Sequence, residues 1–368
     1  MTTPARHHLR TGFTTGTAAA AATQAALSCL VSGQTPQQVR VALPTGASLD
    51  IAVHACQRMD AYTASALVIK DAGDDPDVTH GAEIGARVTW HPAGTQNTVT
   101  IRGGPGVGTV TKPGLETAPG QPAITAGPRW MITQAARQVL TAHGVFGHVV
   151  TEVFVPQGLA LARHTLNARL GIVGGISILG TSGIVRPLSH EAYIATIDAA
   201  LSVARAAGLA ETVLTTGRRS ERFAQARWPE RPVEAFVQIG DHFGQAMGIA
   251  AARGFTRVIL AVFFGKAVKM AQGMAHTHAR SAELSLTHLG AWVLEISGDS
   301  ALADAVSRAN TARQVFDRIQ ADCPAVIAKI GHEMMQTALA FGDHRLQVRV
   351  VIFGFDGVIG FDSESNEP

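Results

Sequence analysis

The spacing of apolar positions changes once along this chain, near residue 147, and the change divides the elements it predicts. Before that point the apolar runs are short and turn-bounded. Thr14-Thr15-Gly16-Thr17 leads into the alanine-rich stretch Ala18–Leu30, which predicts a helix capped by hydroxyls. Val39–Leu43, Leu49–His54 and Ala64–Lys70 predict strands, with Pro44-Thr45-Gly46 as a turn between the first two. Glu83–His91 and Thr98–Arg102 predict two more. Gly103–Pro128 holds five prolines and seven glycines and predicts a long ordered loop or flap, followed by a helix over Arg129–Ala142.

From Gly147 onward strands and helices alternate. Val149–Val155 and Gly171–Leu179 predict strands, the second running into Gly180-Thr181-Ser182-Gly183. A helix over Ser189–Ala207 is followed by strand Thr212–Thr215, helix Glu221–Arg227, strand Val233–Ile239, helix His242–Arg253 and strand Arg257–Phe264. Helices near Ser281–Leu289 and Pro324–Phe341 follow, and Gln347–Phe353 closes the sheet. Strands apolar on both faces, each followed by a helix, predict a parallel sheet covered by helices. The expected fold class is α/β: an N-terminal α+β domain over residues 1–146, then a doubly wound, mainly parallel sheet over 147–368.

Ligands of an open parallel sheet bind beyond the carboxyl ends of its strands. Those ends read Gly180-Thr181-Ser182-Gly183, Thr216-Gly217-Arg218, Gly240-Asp241 and Gly265-Lys266. Asp241 is the one acidic residue just after such a strand; it suits ribose hydroxyls, or it caps the helix beginning near His242. No G-x-G-x-x-G joins a strand to a helix, and no G-x-x-x-x-G-K-[ST] is present, so the common phosphate cradles are not expected.

Charge is concentrated in one place. Lys70, Asp71, Asp74, Asp75, Asp77 and His80 fall within eleven positions directly after an apolar strand. Such a loop is either a solvated turn or a site where crowding raises one carboxyl's pKa and sets an acid beside a base. It lacks EF-hand spacing. The Thr14–Thr17 turn, with Arg10 ahead of it, offers an anion the N-terminus of a helix, or is an ordinary cap. His276-Thr277-His278 is the one H-x-H, with no third ligand at a recognisable spacing, so no metal site is expected.

Composition narrows the class. The chain has 368 residues, 46% apolar, with 30 basic and 28 acidic side chains and a net charge of +2. That balance excludes the basic face that broad nucleic-acid binding needs. Cys29, Cys56 and Cys323 are far apart and odd in number; no disulfide framework or cysteine metal pair is expected, and a reducing cytoplasm fits. No signal peptide or membrane span is read.

Several words in the chain are long and specific: LRTGFTTGT at Leu9–Thr17, KDAGDDPDVTHG at Lys70–Gly81, GGPGVGTVTKPGL at Gly103–Leu115, NARLGIVGGISILGTSGIV at Asn167–Val185, and Gly273–His278. They resemble the cobalt-precorrin-5B C1-methyltransferase family of the CbiD type, well over residues 9–290 and more loosely beyond. The resemblance implies a Rossmann-like second domain and transfer of a methyl group from S-adenosyl-L-methionine to C1 of cobalt-precorrin-5B, giving cobalt-precorrin-6A in cobalamin synthesis. It also implies a tetrapyrrole-facing N-terminal domain. Asp71, Asp74, Asp75 and His80 are the expected catalytic residues. Gly180, Thr181, Ser182, Thr216, Gly217, Gly240, Asp241 and Gly265 are expected at the cofactor. Arg10, Thr14, Thr15, Lys70, Lys112, Arg129 and Lys266 are expected at the carboxylates of the macrocycle. The expected partner is that small molecule, with no nucleic acid and no membrane; a homo-oligomer stays open. The alternative is a non-catalytic tetrapyrrole-binding protein of the same pathway. The chain departs from the family in carrying Ala18 where many relatives have Cys, AITAGPR at Ala123–Arg129, and TGRRSE at Thr216–Glu221.

Overall fold

The computed structural model describes residues 9–187, 189–278 and 282–365. The chain is mixed α/β and divides into two compact units, one ending at Ser189 and the other beginning at His190.

The first unit is built on the helix Thr15–Ser32. Ala18–Ala22, Ala25 and Ala26 are all fully buried, as are Thr17 and Thr23, so this helix is covered around nearly its whole circumference. Alanine side chains let it lie close to both a five-stranded sheet and the helix Ala126–Ala142. The sheet runs in the order Ala55–Arg58, Thr63–Ile69, Glu83–Pro92, Gly147–Phe154, Thr98–Gly103. All its neighbours are antiparallel except the last pair. The hairpin Gln38–Ala42 with Ser48–Ala52 completes the regular part.

This corrects the expected division at residue 146. Gly147–Phe154 is an interior strand of the first sheet, bonded on both sides, and cannot open a second domain. The span Gly171–Leu179 is also not one sheet strand. Ile172–Val173 pairs with Thr109–Val110, and Gly175–Ile176 pairs with Gly106–Val107. The glycine-rich segment is thus sewn onto the proline-rich loop. Gly106 and Gly175 permit the close approach: a Cβ on Gly175 would stand 2.1 Å from the Gly106 carbonyl oxygen.

The second unit holds four parallel strands in the order Phe236–Gln238, Glu211–Thr215, Arg257–Phe263, Gln347–Phe353. The strand Ile359–Asp362, not expected from the sequence, closes the edge antiparallel. Leu214, Leu260, Val262 and Ile352 face one apolar layer, packed by helices including Phe243–Ala252 and Pro324–Phe341. Val213, Ile259, Ala261 and Val351 face the other, with Ala224 and Trp228 of the segment around helix Arg218–Arg227. Residues 233–235 are a 3-10 turn rather than strand. Ala282–Ser297, Ser300–Ser307 and Ala312–Asp322 are helices; Ser281, the expected start of the first, lies outside the described residues. Among the described residues no helix is long and apolar enough to cross a membrane.

Candidate active site

In the first unit the acidic loop is a closed network bolted to the N-terminal segment. Arg10 makes two hydrogen bonds to the Asp71 carboxylate, one of them 2.9 Å. The Arg10 N–H donates to Asp74 Oδ2 at 2.6 Å, and the Asp74 N–H returns a bond of 2.9 Å to the Arg10 carbonyl. The Phe13 N–H donates to the Asp71 carbonyl at 2.8 Å. Two glycines allow this contact: a Cβ on Gly12 would meet the Ala72 backbone at 2.2 Å, and one on Gly73 (φ 66°) would meet the Arg10 oxygen at 2.1 Å.

Lys70 is 1% exposed, and its Nζ donates to Asp77 Oδ2 at 2.7 Å. Asp77 Oδ1 accepts from the Thr79 N–H and hydroxyl. This corrects the expectation that Lys70 binds substrate, because its charge is spent inside the loop. Crowding does not raise Asp71 or Asp77 either. The Arg10 hydrogen bonds and the Gly73 N–H hold Asp71 below the ordinary carboxylate range. Burial pushes Asp77 up, but Lys70 and Thr79 outweigh it and the net direction is down. His80 is exposed, and its Nδ1 accepts from the Ala72 N–H at 3.1 Å, which puts the ring proton on Nε2.

The helix N-terminus at Thr14–Thr17 is not an open anion site. Thr14 caps Thr17 N–H at 3.2 Å, and the Thr14 and Gly16 N–H groups donate to the carbonyls of Gly183 and Leu179. The Leu179 N–H donates to Thr15 Oγ1 at 3.0 Å. Thr14 and Thr15 are buried. The segment that covers them carries Gly180, Thr181 and Ser182, which therefore belong to the first unit and not to the rim of the parallel sheet. Gly180 (φ 132°) packs on Thr14, where a Cβ would come within 2.4 Å. Arg129 donates from Nε to the Ile124 carbonyl at 2.8 Å, and Lys112 lies under Gly171.

In the second unit Thr216, Gly217, Gly240, Asp241 and Gly265 all lie at the carboxyl edge of neighbouring parallel strands. Gly240 (φ 55°) is required by the Tyr193 hydroxyl, 2.8 Å from where its Cβ would stand, whereas a Cβ on Gly217 would meet nothing within 4 Å. Lys266 pairs with Asp241 and donates to the Thr277 carbonyl at 3.0 Å. Burial pushes the Asp241 carboxyl up, but Lys266, Thr277 and His276 carry it below its ordinary value. Asp241 does not cap the following helix; its N-cap is His242, without a side-chain bond. A cavity of about 260 Å³ opens at the ends of the next two strands, lined by Phe263, Gly265, Arg313, Phe353, Phe355 and Asp356 among others. The Arg219 and Arg313 guanidiniums sit 3.5 and 3.0 Å from the Phe355 ring centre.

Two groupings escape a reading of spacing alone. His190, His242 and His276 converge, one ring nitrogen of each lying within 4.8 Å of the other two, supplying the partners that His276-Thr277-His278 lacks in sequence. Burial first, then His276 and His190, lower the His242 pKa. Cys56 donates its thiol to the Ala25 carbonyl at 3.6 Å, and burial first, then the nearby Cys29, 27 residues earlier and expected to be separate, push the Cys56 thiol up to about 12. No local signal in the chain announces either grouping.

The family model CbiD matches residues 2–187, and the model "CbiD, C-terminal domain" matches residues 276–364. A cobalt-precorrin-5B C(1)-methyltransferase of Nitratidesulfovibrio vulgaris is 45% identical over 362 residues, 96% of this chain and 92% of that protein. Proteins of the same name from Salinispora arenicola and Geobacillus thermodenitrificans are 48% and 43% identical, covering 84% and 95% of this chain and 80% and 93% of their own. A crystal structure of a cobalamin biosynthesis protein from Archaeoglobus fulgidus aligns with a TM-score of 0.39 and 28% identity, over 69% of this chain and 77% of that one. With a family model spanning half of it and relatives above 40% identity along nearly its whole length, the chain belongs to the CbiD family.

Proposed function

We propose that this chain is a cytoplasmic cobalt-precorrin-5B C1-methyltransferase that uses S-adenosyl-L-methionine, held on the carboxyl edge of a Rossmann-like second unit. The observation that carries the location is the meeting of Thr216-Gly217, Gly240-Asp241 and Gly265 on adjacent parallel strands, beside a cavity. The residues fit the cofactor: Gly217 leaves open space a Cβ would occupy, and Asp241 is ionised at neutral pH and able to accept from ribose hydroxyls. When bound, the cofactor supplies a sulfonium-activated methyl, which C1 of the ring takes with its own electron pair while sulfur keeps the pair of the broken bond. Lys266 fixes Asp241, and the phenylalanines at the strand ends exclude water. Positioning of this kind supplies up to about 7–11 kcal/mol of a barrier.

For the macrocycle we assign the acidic loop. Asp71 and Asp74 hold Arg10 and the loop's shape. His80, with Nδ1 engaged by a backbone N–H, serves as a donor through Nε2 rather than as a base. To Asp75, in the same loop, we assign the taking of a proton. Arg10, whose side chain is 57% exposed, attracts ring carboxylates, with Lys112 and Arg129 as further cations.

The test is turnover of cobalt-precorrin-5B with S-adenosylmethionine, read as one added methyl by mass spectrometry. Asp75→Asn is expected to lower kcat about 10²–10⁴-fold with KM little changed. Unchanged turnover removes Asp75 from the chemistry, and absence of methyl transfer by the wild type, with the macrocycle still bound, replaces the reading by a tetrapyrrole-binding protein.

A further inference from the structure

We propose that His190, His242 and His276 bind one divalent first-row transition-metal ion, such as zinc, through three imidazole nitrogens with a coordination position left open. The three rings come from separate places in the second unit: the first residue of helix His190–Ala206, the N-cap of helix Phe243–Ala252, and the loop after helix Phe264–Ala271. Their centroids lie 4.9–5.3 Å apart with the planes nearly perpendicular, which aims edges, and so nitrogens, at a common point.

A second observation points to a ligand. His242 Nδ1 and His276 Nε2 are buried without a hydrogen-bond partner, and His242 is only 6% exposed. A buried polar nitrogen left without a partner is costly, and a cation accepting its lone pair answers it. Three imidazoles with an open fourth position match the ligand pattern of such ions. At metal–nitrogen distances of about 2.0–2.1 Å, tetrahedral ligand atoms stand about 3.3 Å apart. The present spread of up to 4.8 Å therefore closes with small ring rotations.

The support around the rings is rigid. The Thr277 N–H donates to the Asp241 carbonyl at 3.0 Å and the Gly244 N–H to the Ala275 carbonyl at 2.9 Å, clamping the loop that carries His276. Lys266 and Lys269 both donate to the Thr277 carbonyl from the other side. Tyr193 stacks on His242 at 5.1 Å. His190 is exposed and gives the ion an entrance. The geometry is that of a free ion, not of an axial contact to a metal already in a macrocycle. A planar ring leaves only two axial positions, on opposite faces, and three nitrogens this close cannot share them.

The test uses the full-length protein, stripped with a chelator, dialysed, and titrated with Zn²⁺ against a chromophoric competitor and with Co²⁺ by visible absorption. One equivalent of each ion is expected, with intense low-symmetry Co²⁺ bands. His190→Ala and His242→Ala are expected to weaken binding by more than the roughly 10–100-fold that loss of an outer partner costs, while His278→Ala binds like the wild type. Wild-type protein that binds no stoichiometric ion overturns the proposal, as does equal binding by the His190 variant. His190 is exposed, so its replacement keeps the test decisive if the His242 variant fails to fold.

Discussion

Lys70 and Asp77 make the sharpest claim at the scale of single residues. The Lys70 ammonium is fully buried and its partner carboxylate partly so. Removing one member leaves the other uncompensated, so Asp77→Ala should destabilise by about 3 kcal/mol, near the low end for a broken buried pair because Asp77 reaches solvent. The double variant Lys70→Met/Asp77→Leu should recover much of that loss in urea unfolding. The pH dependence has a fixed sign. The folded pKa of Asp77 lies below its unfolded value of about 3.9, so its contribution is present above that pH and lost as pH falls through the folded value. Asp77→Asn should flatten the stability profile between pH 5 and 3. Cys56, with a pKa of about 12, should resist iodoacetamide at pH 8 in the native protein and react after unfolding. The sequence shows this acidic loop plainly but not its pairing. Four aspartates beside one lysine do not say that Arg10, more than sixty residues earlier, takes Asp71, or that Lys70 turns inward to Asp77.

The elements with strong local periodicity are the ones a sequence reveals. The helices at Thr15–Ser32 and Ala126–Ala142 and the strands Arg257–Phe263 and Gln347–Phe353 follow from apolar runs of the right length. What fails is assignment of strands to sheets. Gly147–Phe154 reads like any apolar strand, and only long-range pairing with Glu83–Pro92 puts it in the first unit. The glycine segment 171–183 looks like a strand and ligand loop, yet its carbonyls close the Thr14–Thr17 turn instead. The coupling of Arg10–Phe13 to the acidic loop can be probed through Gly73. Gly73→Ala adds a Cβ at φ 66° and 2.1 Å from the Arg10 oxygen. It should cost about 1–3 kcal/mol locally, expose residues 70–81 to limited proteolysis, and lower turnover while S-adenosylmethionine affinity, assigned to the other unit, is unchanged.

For the whole molecule, two units with separate apolar cores suit a reaction with two unlike substrates, a polycarboxylate ring and a sulfonium nucleotide. With a near-neutral net charge of +2, the proposed reading assigns recognition to local cations such as Arg10 and to backbone N–H groups at strand ends. The family and the two-part plan were legible because long words of the chain are specific. For the donor's proposed seat, five of the eight expected residues share the parallel rim and Gly180, Thr181 and Ser182 do not. Hydrogen–deuterium exchange with and without S-adenosylhomocysteine tests that seat most directly. The account predicts protection at residues 215–222, 239–243 and 263–266. Protection at 10–17 and 177–183 instead, or none in the second unit with the ligand bound, would contradict it.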